Sequence, residues 1–170
     1  MTAAFSKYFY VTLFGKSSSK FYKDNKLSAF TINLAQPIEL NYAEKWEVGI
    51  CEVTCPPPLV GTGVPMTTVR NTHVLIYCNV ISAQFVSNGI VCFLRTFIFP
   101  STNCGNIFDK IYYVLVEQRK FQEIRIEFLL TNGKRVPFKD SKVPTKFVLH
   151  FRKITIGNSL LNMTSALLST

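Results

Sequence analysis

The side chains from which a metal site or a nucleophilic centre would be built are few: two histidines, His73 and His150, and five cysteines at 51, 55, 78, 92 and 104. A protein-bound zinc or iron takes clustered histidines with a carboxylate or thiolates, and two histidines far apart in the chain offer no such cluster. His150 lies within "KFVLHFRKI" (146–154), where Phe147, Leu149 and Phe151 alternate with polar residues. Alternate residues of an extended chain point to opposite faces, so His150 shares a wet face with Lys146 and Arg152, and its expected role is structural. Cys51 and Cys55 form a C-x3-C pair inside one extended segment, on the same face but about 13 Å apart, too far for one metal ion. "GTGVP" (61–65) lacks the Lys-Ser/Thr of a phosphate loop and reads as a flexible turn. No nucleophile is paired with a base, no cofactor is implied, and catalysis is not expected. The cysteines fall mostly in apolar segments, as free buried thiols of a reducing compartment do.

Charge is the more informative chemistry. The chain of 170 residues carries a formal net charge of +9, which favours acidic partners: nucleic acid, sulfated glycans or acidic lipid. Two stretches concentrate it. Lys16, Lys20, Lys23 and Lys26 stand against Asp24 in 15–26, and Lys134, Arg135, Lys139 and Lys142 stand against Asp140 in 131–145. These eight side chains are the candidate polyanion site. Aromatic interleaving is limited to Phe21, Tyr22 and Phe138, which is thin for a base-stacking platform. The alternative is that they are solvated loop cations without a partner.

The elements that position these stretches are strands. Eight segments are rich in β-branched and aromatic residues: 8–14, 27–34, 45–54, 74–81, 91–99, 112–118, 123–130 and 146–154. The eight prolines fall between them, and so do all the glycines but Gly49, which inside a strand suggests a bulge. No helix-period segment of ordinary length competes. Connections 82–90 and 119–122 are short enough for tight antiparallel links, whereas 15–26, 55–73, 100–111 and 131–145 are long. This alternation fits an eight-stranded antiparallel single jelly-roll sandwich with its long loops at one end. In that topology the first and last strands pair, so the two basic loops meet. The alternation within segments places Phe30, Ile32, Trp46, Val48, Ile126, Phe128, Phe147 and Leu149 inside, with Trp46 at a rim where its indole N–H finds a partner.

The domain is read as residues 1–155, and 156–170 as an uncharged C-terminal tail that can dock on a neighbour. The opening residues do not read as a secretory signal, no apolar run approaches the roughly 18 residues of a membrane span, and the sequon at Asn162 is therefore incidental. Hydrophobic residues make up 48% of the chain and charged ones only 17%, a composition better suited to an assembly than to isolation in water.

Residues 9–57 carry a "DN" turn (Asp24, Asn25), then Phe30, Thr31 and Leu34, a Pro37-Ile38-x-Leu40 step, and "WEVGICE" at 46–52. Near the other end stand "NGKRVPF" (132–138) and "VLHFRK" (148–153). In these motifs the chain resembles the penton, or minor capsid, proteins of Polinton/Maverick elements and adintoviruses. The resemblance implies a single jelly roll that forms homopentamers at icosahedral vertices among double-jelly-roll major capsid subunits. It also implies a virion location after synthesis in the host cytoplasm or nucleus, and a role similar to that of the adenovirus penton base. There are no large loop insertions and no Arg-Gly-Asp tripeptide, so integrin-type receptor binding is not implied. The long-loop end faces outward in such proteins, which makes a cell-surface glycan the first candidate polyanion and packaged DNA the second. A jelly-roll binding module, either a trimeric tumour-necrosis-factor-like ligand or a lectin, is the alternative reading. A cupin-like enzyme lacks its ligands.

Overall fold

The computed structural model describes residues 7–56, 73–86, 89–98, 105–138 and 143–154. Their regular structure consists of β1 (Tyr8–Phe14), β2 (Ala29–Glu39), β3 (Trp46–Thr54), β4 (His73–Cys78), β5 (Gln84–Val86), β6 (Gly89–Val91), β7 (Phe93–Ile98), β8 (Gly105–Ile107), β9 (Val114–Leu115), β10 (Lys120–Leu130) and β11 (Lys146–Lys153). One sheet has the order β1-β11-β3-β8, with β9 also on β3, and the other has the order β2-β10-β4-β7. All pairings are antiparallel. Successive main strands cross from one sheet to the other, except that β4 and β7 pair directly. This is a jelly-roll sandwich. Its strand β11 is the one in which His150 lies, and it sits between β1 and β3.

The registers place the long connections. Phe14, Lys146, Thr54 and Gly105 lie side by side across the first sheet. Across the second sheet, Glu127 faces Ala29, Leu130 faces Val74, and His73 faces Ile98. The four long connections of the sequence reading therefore join strand ends that share one end of the sandwich. Residues 57–72, 99–104 and 139–142 of those connections lie outside the described residues, as does the tail 156–170.

The core follows the alternation. Phe30, Ile32, Trp46, Val48, Ile126, Phe128, Phe147 and Leu149 are all buried. Inward aromatic rings bridge the sheets: Phe128 of β10 meets Phe147 of β11 at 5.3 Å between centroids, and Phe30 of β2 meets Phe147 at 6.1 Å. Trp46 departs from expectation. It is fully inside against Phe9, and its indole nitrogen has no hydrogen-bond partner.

Several strand boundaries differ from the sequence reading, each for a local reason. Pro37 lies within β2, not between strands; β2 is an edge strand with a register shift opposite Phe121 and Glu123, and an edge tolerates a missing N–H. Segment 82–90 is not a tight link but carries most of the separate β5–β6 hairpin. Of 112–118 only Val114–Leu115 is a strand, and the rest of that sheet position is filled by β8, inside what reads as a loop. Gly89 and Gly105 accordingly lie in short strands. Residues 120–122 belong to β10, whose partners are β2 and β4, so the link before it crosses between sheets.

The bulge in β3 falls at Cys51, where the register with β11 shifts, and not at Gly49. Val48 and Ile50 are buried before it, Val53 and Cys55 after it, and Cys51 is left half-exposed. The extra residue reverses the alternation, so Cys51 and Cys55 do not share a face as a regular strand would have them do. Gly49 serves a different purpose: a Cβ there would collide with the Ile111 side chain and the Tyr112 carbonyl oxygen, which lie directly over it.

Two substitutions test this packing. Phe128→Ala should lower unfolding free energy by about 3–5 kcal/mol, the cost of emptying a fully buried aromatic site. Gly49→Ala, which overpacks a closed contact, should cost about 1–3 kcal/mol. Both are read by urea titration, and unchanged midpoints would show that these contacts are not closed.

Candidate functional site

Strands β1 and β11 pair along their whole length, from Tyr8 opposite Arg152 to Phe14 opposite Lys146. Gly15 N–H then donates to the Thr145 carbonyl at 2.8 Å, so the loop leaving β1 and the loop entering β11 start in contact. The first loop is wound tightly by its serines. Ser17 donates its hydroxyl to the Phe14 carbonyl at 2.7 Å, and the buried Ser18 hydroxyl accepts the Asn33 N–H at 3.0 Å. Tyr22 donates to Glu123 of β10 at 2.5 Å, and that bond, then desolvation, then the carboxylate's charge, raises the phenol pKa. Asn25 fixes the far side of the loop by clasping Thr31 through both its backbone N–H (2.8 Å) and its carbonyl (2.9 Å).

The second loop turns at Gly133, whose φ of 78° lies in the left-handed region. Leu130 N–H donates to the Lys134 carbonyl and Val136 N–H to the Phe128 carbonyl, folding 131–136 back along the end of β10. Phe138 then enters the core, edge-on to Phe128 at 5.2 Å.

These backbones sort the eight candidate cations. Lys23, Lys26 and Arg135 line one cavity of about 680 Å³, together with Asp24 and Arg125. Lys16 and Lys26 line a second cavity of about 410 Å³, with Ser19 and Thr145. Lys20 and Lys134 are exposed on the same loops and line neither cavity. Lys139 and Lys142 lie outside the described residues. The loops do meet, but the charge is not one uniform patch. Glu127 of β10 contacts the guanidinium of Arg125 and lies 3.9 Å from that of Arg135, tempering both.

Sequence reasoning missed Arg125. Its signal was present: in "EIRIEFLL" the buried Ile124 and Ile126 leave Glu123, Arg125 and Glu127 on the outer face. What the sequence did not carry is that the loop 15–28 folds over that face.

The histidines are not brought together. His73 is exposed at the start of β4. His150 sits among rings on the outer face of β11, stacked on Tyr10 at 4.6 Å and edge-on to Tyr8 and Tyr113. Its Nδ1 is 2.7 Å from the Tyr113 hydroxyl, while Nε2 is buried without a partner. Arg152 lies over the Tyr113 ring at 3.6 Å and pairs with Glu47. Among the described residues no three His, Cys, Asp or Glu side chains are grouped to hold a metal ion. Cys78 is a fully buried free thiol whose pKa burial pushes up to about 12, which makes it a poor nucleophile.

Burial, and secondarily the charge of Arg152, lowers the His150 pKa from its ordinary 6.5. The unfolded chain then binds the proton more readily, so this residue's contribution is present above pH 6.5 and is lost as pH falls through the folded value. Melting temperature should therefore fall on acidification below pH 6.5, and His150→Asn should flatten that part of the profile. An identical slope in the variant would assign the acid sensitivity to other groups.

No protein-family model matches the chain, and no curated protein matches it either. Among solved structures, the mavirus penton protein superposes with a TM-score of 0.57 at 9% sequence identity, covering 88% of this chain and 100% of that one. The chain thus has an all-β jelly-roll fold that resembles that of a viral penton protein.

Proposed function

We propose that the chain is a structural capsid subunit that forms pentameric vertex units of an icosahedral virus or virus-like element. The observation that carries this reading is the sandwich itself, which superposes on the full length of a penton protein over 88% of this chain. A closed ring of identical subunits uses heterologous contacts, in which one surface of a copy meets a different surface of the next. The chain has unlike apolar surfaces to offer. Tyr8 and Tyr10 are 55% and 57% exposed on the outer side of β1, and Phe85 and Ile90 are 85% and 64% exposed as a cross-strand pair on the β5–β6 hairpin. Such large exposed side chains are costly for a protein that stays alone in water. In this role the ring sits among double-jelly-roll major capsid subunits in the virion.

Native mass measurement on the purified chain tests the proposal, with a species at five times the chain mass as the expected result. Tyr8→Glu combined with Tyr10→Glu should shift that species to monomer while leaving the β-sheet circular dichroism intact. A trimer would favour the ligand-like binding module. A monomer at high concentration, with no ring in particles, would overturn the reading.

A further inference from the structure

The two cavities at the basic end adjoin, because Asn25, Lys26 and Phe30 line both. Lys26 is thus shared between a larger chamber holding Lys23, Arg125 and Arg135 and a smaller one holding Lys16. We propose that this double cavity is a binding site for a sulfated polysaccharide that places anionic groups on both sides of Lys26. The inference stands apart from the vertex role, since it uses only a single subunit.

The wall between the chambers is firm. Asn25 is held by two hydrogen bonds to Thr31, and Phe30 is part of the core at 2% exposure. Charged groups on a prepared wall lose less freedom on binding than cations on free loops. The smaller chamber also contains Thr145, 1% exposed, whose hydroxyl has no hydrogen-bond partner. An unsatisfied buried hydroxyl is costly, and a turn of the Thr145 side chain toward the chamber would let it donate to an anionic oxygen drawn in by Lys16 and Lys26.

The same walls favour a sugar over a nucleic acid. Asp24 lines the larger chamber, and Glu127 holds its two arginines from beside it. Carboxylates repel sulfate and phosphate alike, but they also accept hydrogen bonds from sugar hydroxyls, which the interior nucleotides of DNA do not present. Phe21 lines this chamber with 73% of its surface exposed, a single ring that suits the apolar face of one sugar. A base-stacking track would need successive rings.

The test uses the full chain, a heparin oligosaccharide, its desulfated form, and a single-stranded DNA oligonucleotide of equal charge, measured by calorimetry at several salt concentrations. Heparin should bind more tightly than the DNA, weaken steeply with salt, and lose affinity on desulfation. Lys26→Gln should weaken heparin about tenfold, the usual effect of removing one charge-assisted hydrogen bond, and Arg125→Gln should act in the same direction. Lys20→Gln and Lys134→Gln remove the same charge from the same loops but outside the chambers, and should have less than about a twofold effect, as exposed charges do. All four side chains are exposed, so folding is retained. Equal losses in all four variants would reduce the site to diffuse loop charge. Tighter binding of the DNA, or no heparin binding at low salt, would likewise overturn the proposal.

Discussion

The contact between Phe128 and Phe147 is the one on which the rest of the structure depends. Each ring belongs to an inner strand of its sheet, β10 in one and β11 in the other, and neither ring is exposed. Phe30, Phe97 and Phe138 pack around the pair. Aromatic side chains bring both large buried area and a preferred tilted geometry, so this cluster sets sheet spacing as well as adding stability. Both of these strands come from the last third of the chain. Before they arrive, β1 has no partner for β3 and β2 has none for β4. Folding must therefore wait for pairings between residues remote in sequence, which is the slow regime for β topologies. Phe30 carries the consequence to the surface, because the same ring that packs on Phe147 lines both cavities.

Electrostatics is divided in a related way. The carboxylates on and beside the sheets are nearly all matched locally: Glu52 with Lys146, Glu47 with Arg152, Glu44 with Lys153, Glu39 with Lys120, and Glu127 with Arg125. Such partly exposed pairs add little stability each, but they neutralise the sandwich. No ion pair holds Lys16, Lys20, Lys23 or Lys26 among the described residues. Much of the excess positive charge is consequently left at the loop end, where it acts outward.

Much of this was legible in the sequence, and the parts that were not share a cause. Strands β1, β3 and β11 announce themselves because each must bury one face, and burial writes an alternation that needs no knowledge of neighbours. The pairing of β1 with β11, and with it the meeting of the two basic loops, followed from topology alone. Segment 112–118 misled because its residues answer to the outer face instead. Ile111 and Tyr112 cover Gly49, and Tyr113 reaches His150, so only Val114 and Leu115 remain on the ladder. Strand β8, three residues long, is too short to leave a pattern. The hairpin β5–β6 did leave one, since Asn88-Gly89 is a strong hairpin signal between apolar residues. At the basic end the cations could be counted from the sequence, but their sorting could not be read from it. Lys20 and Lys23 look alike in the sequence, yet only Lys23 lines the larger cavity with Arg125 of β10.

The sandwich also separates two kinds of contact in space. Tyr8 and Tyr10 of β1 and Phe85 and Ile90 of the β5–β6 hairpin are exposed away from the cavities, while the end with the long connections carries the candidate cations and one exposed ring, Phe21. The proposed ring, if built through the sides of the sandwich, would leave that end free. Rotation about a five-fold axis preserves direction along it, so with the strands' long axis near the ring axis every copy would present its basic end on the same side. Were one subunit of the proposed ring bound to a long polyanion, the effective concentration of the next site would rise, and tethered sites would gain in avidity without any new contact. A site with few cations, two of them tempered by Glu127, need not be strong by itself to hold an assembly on a polymer.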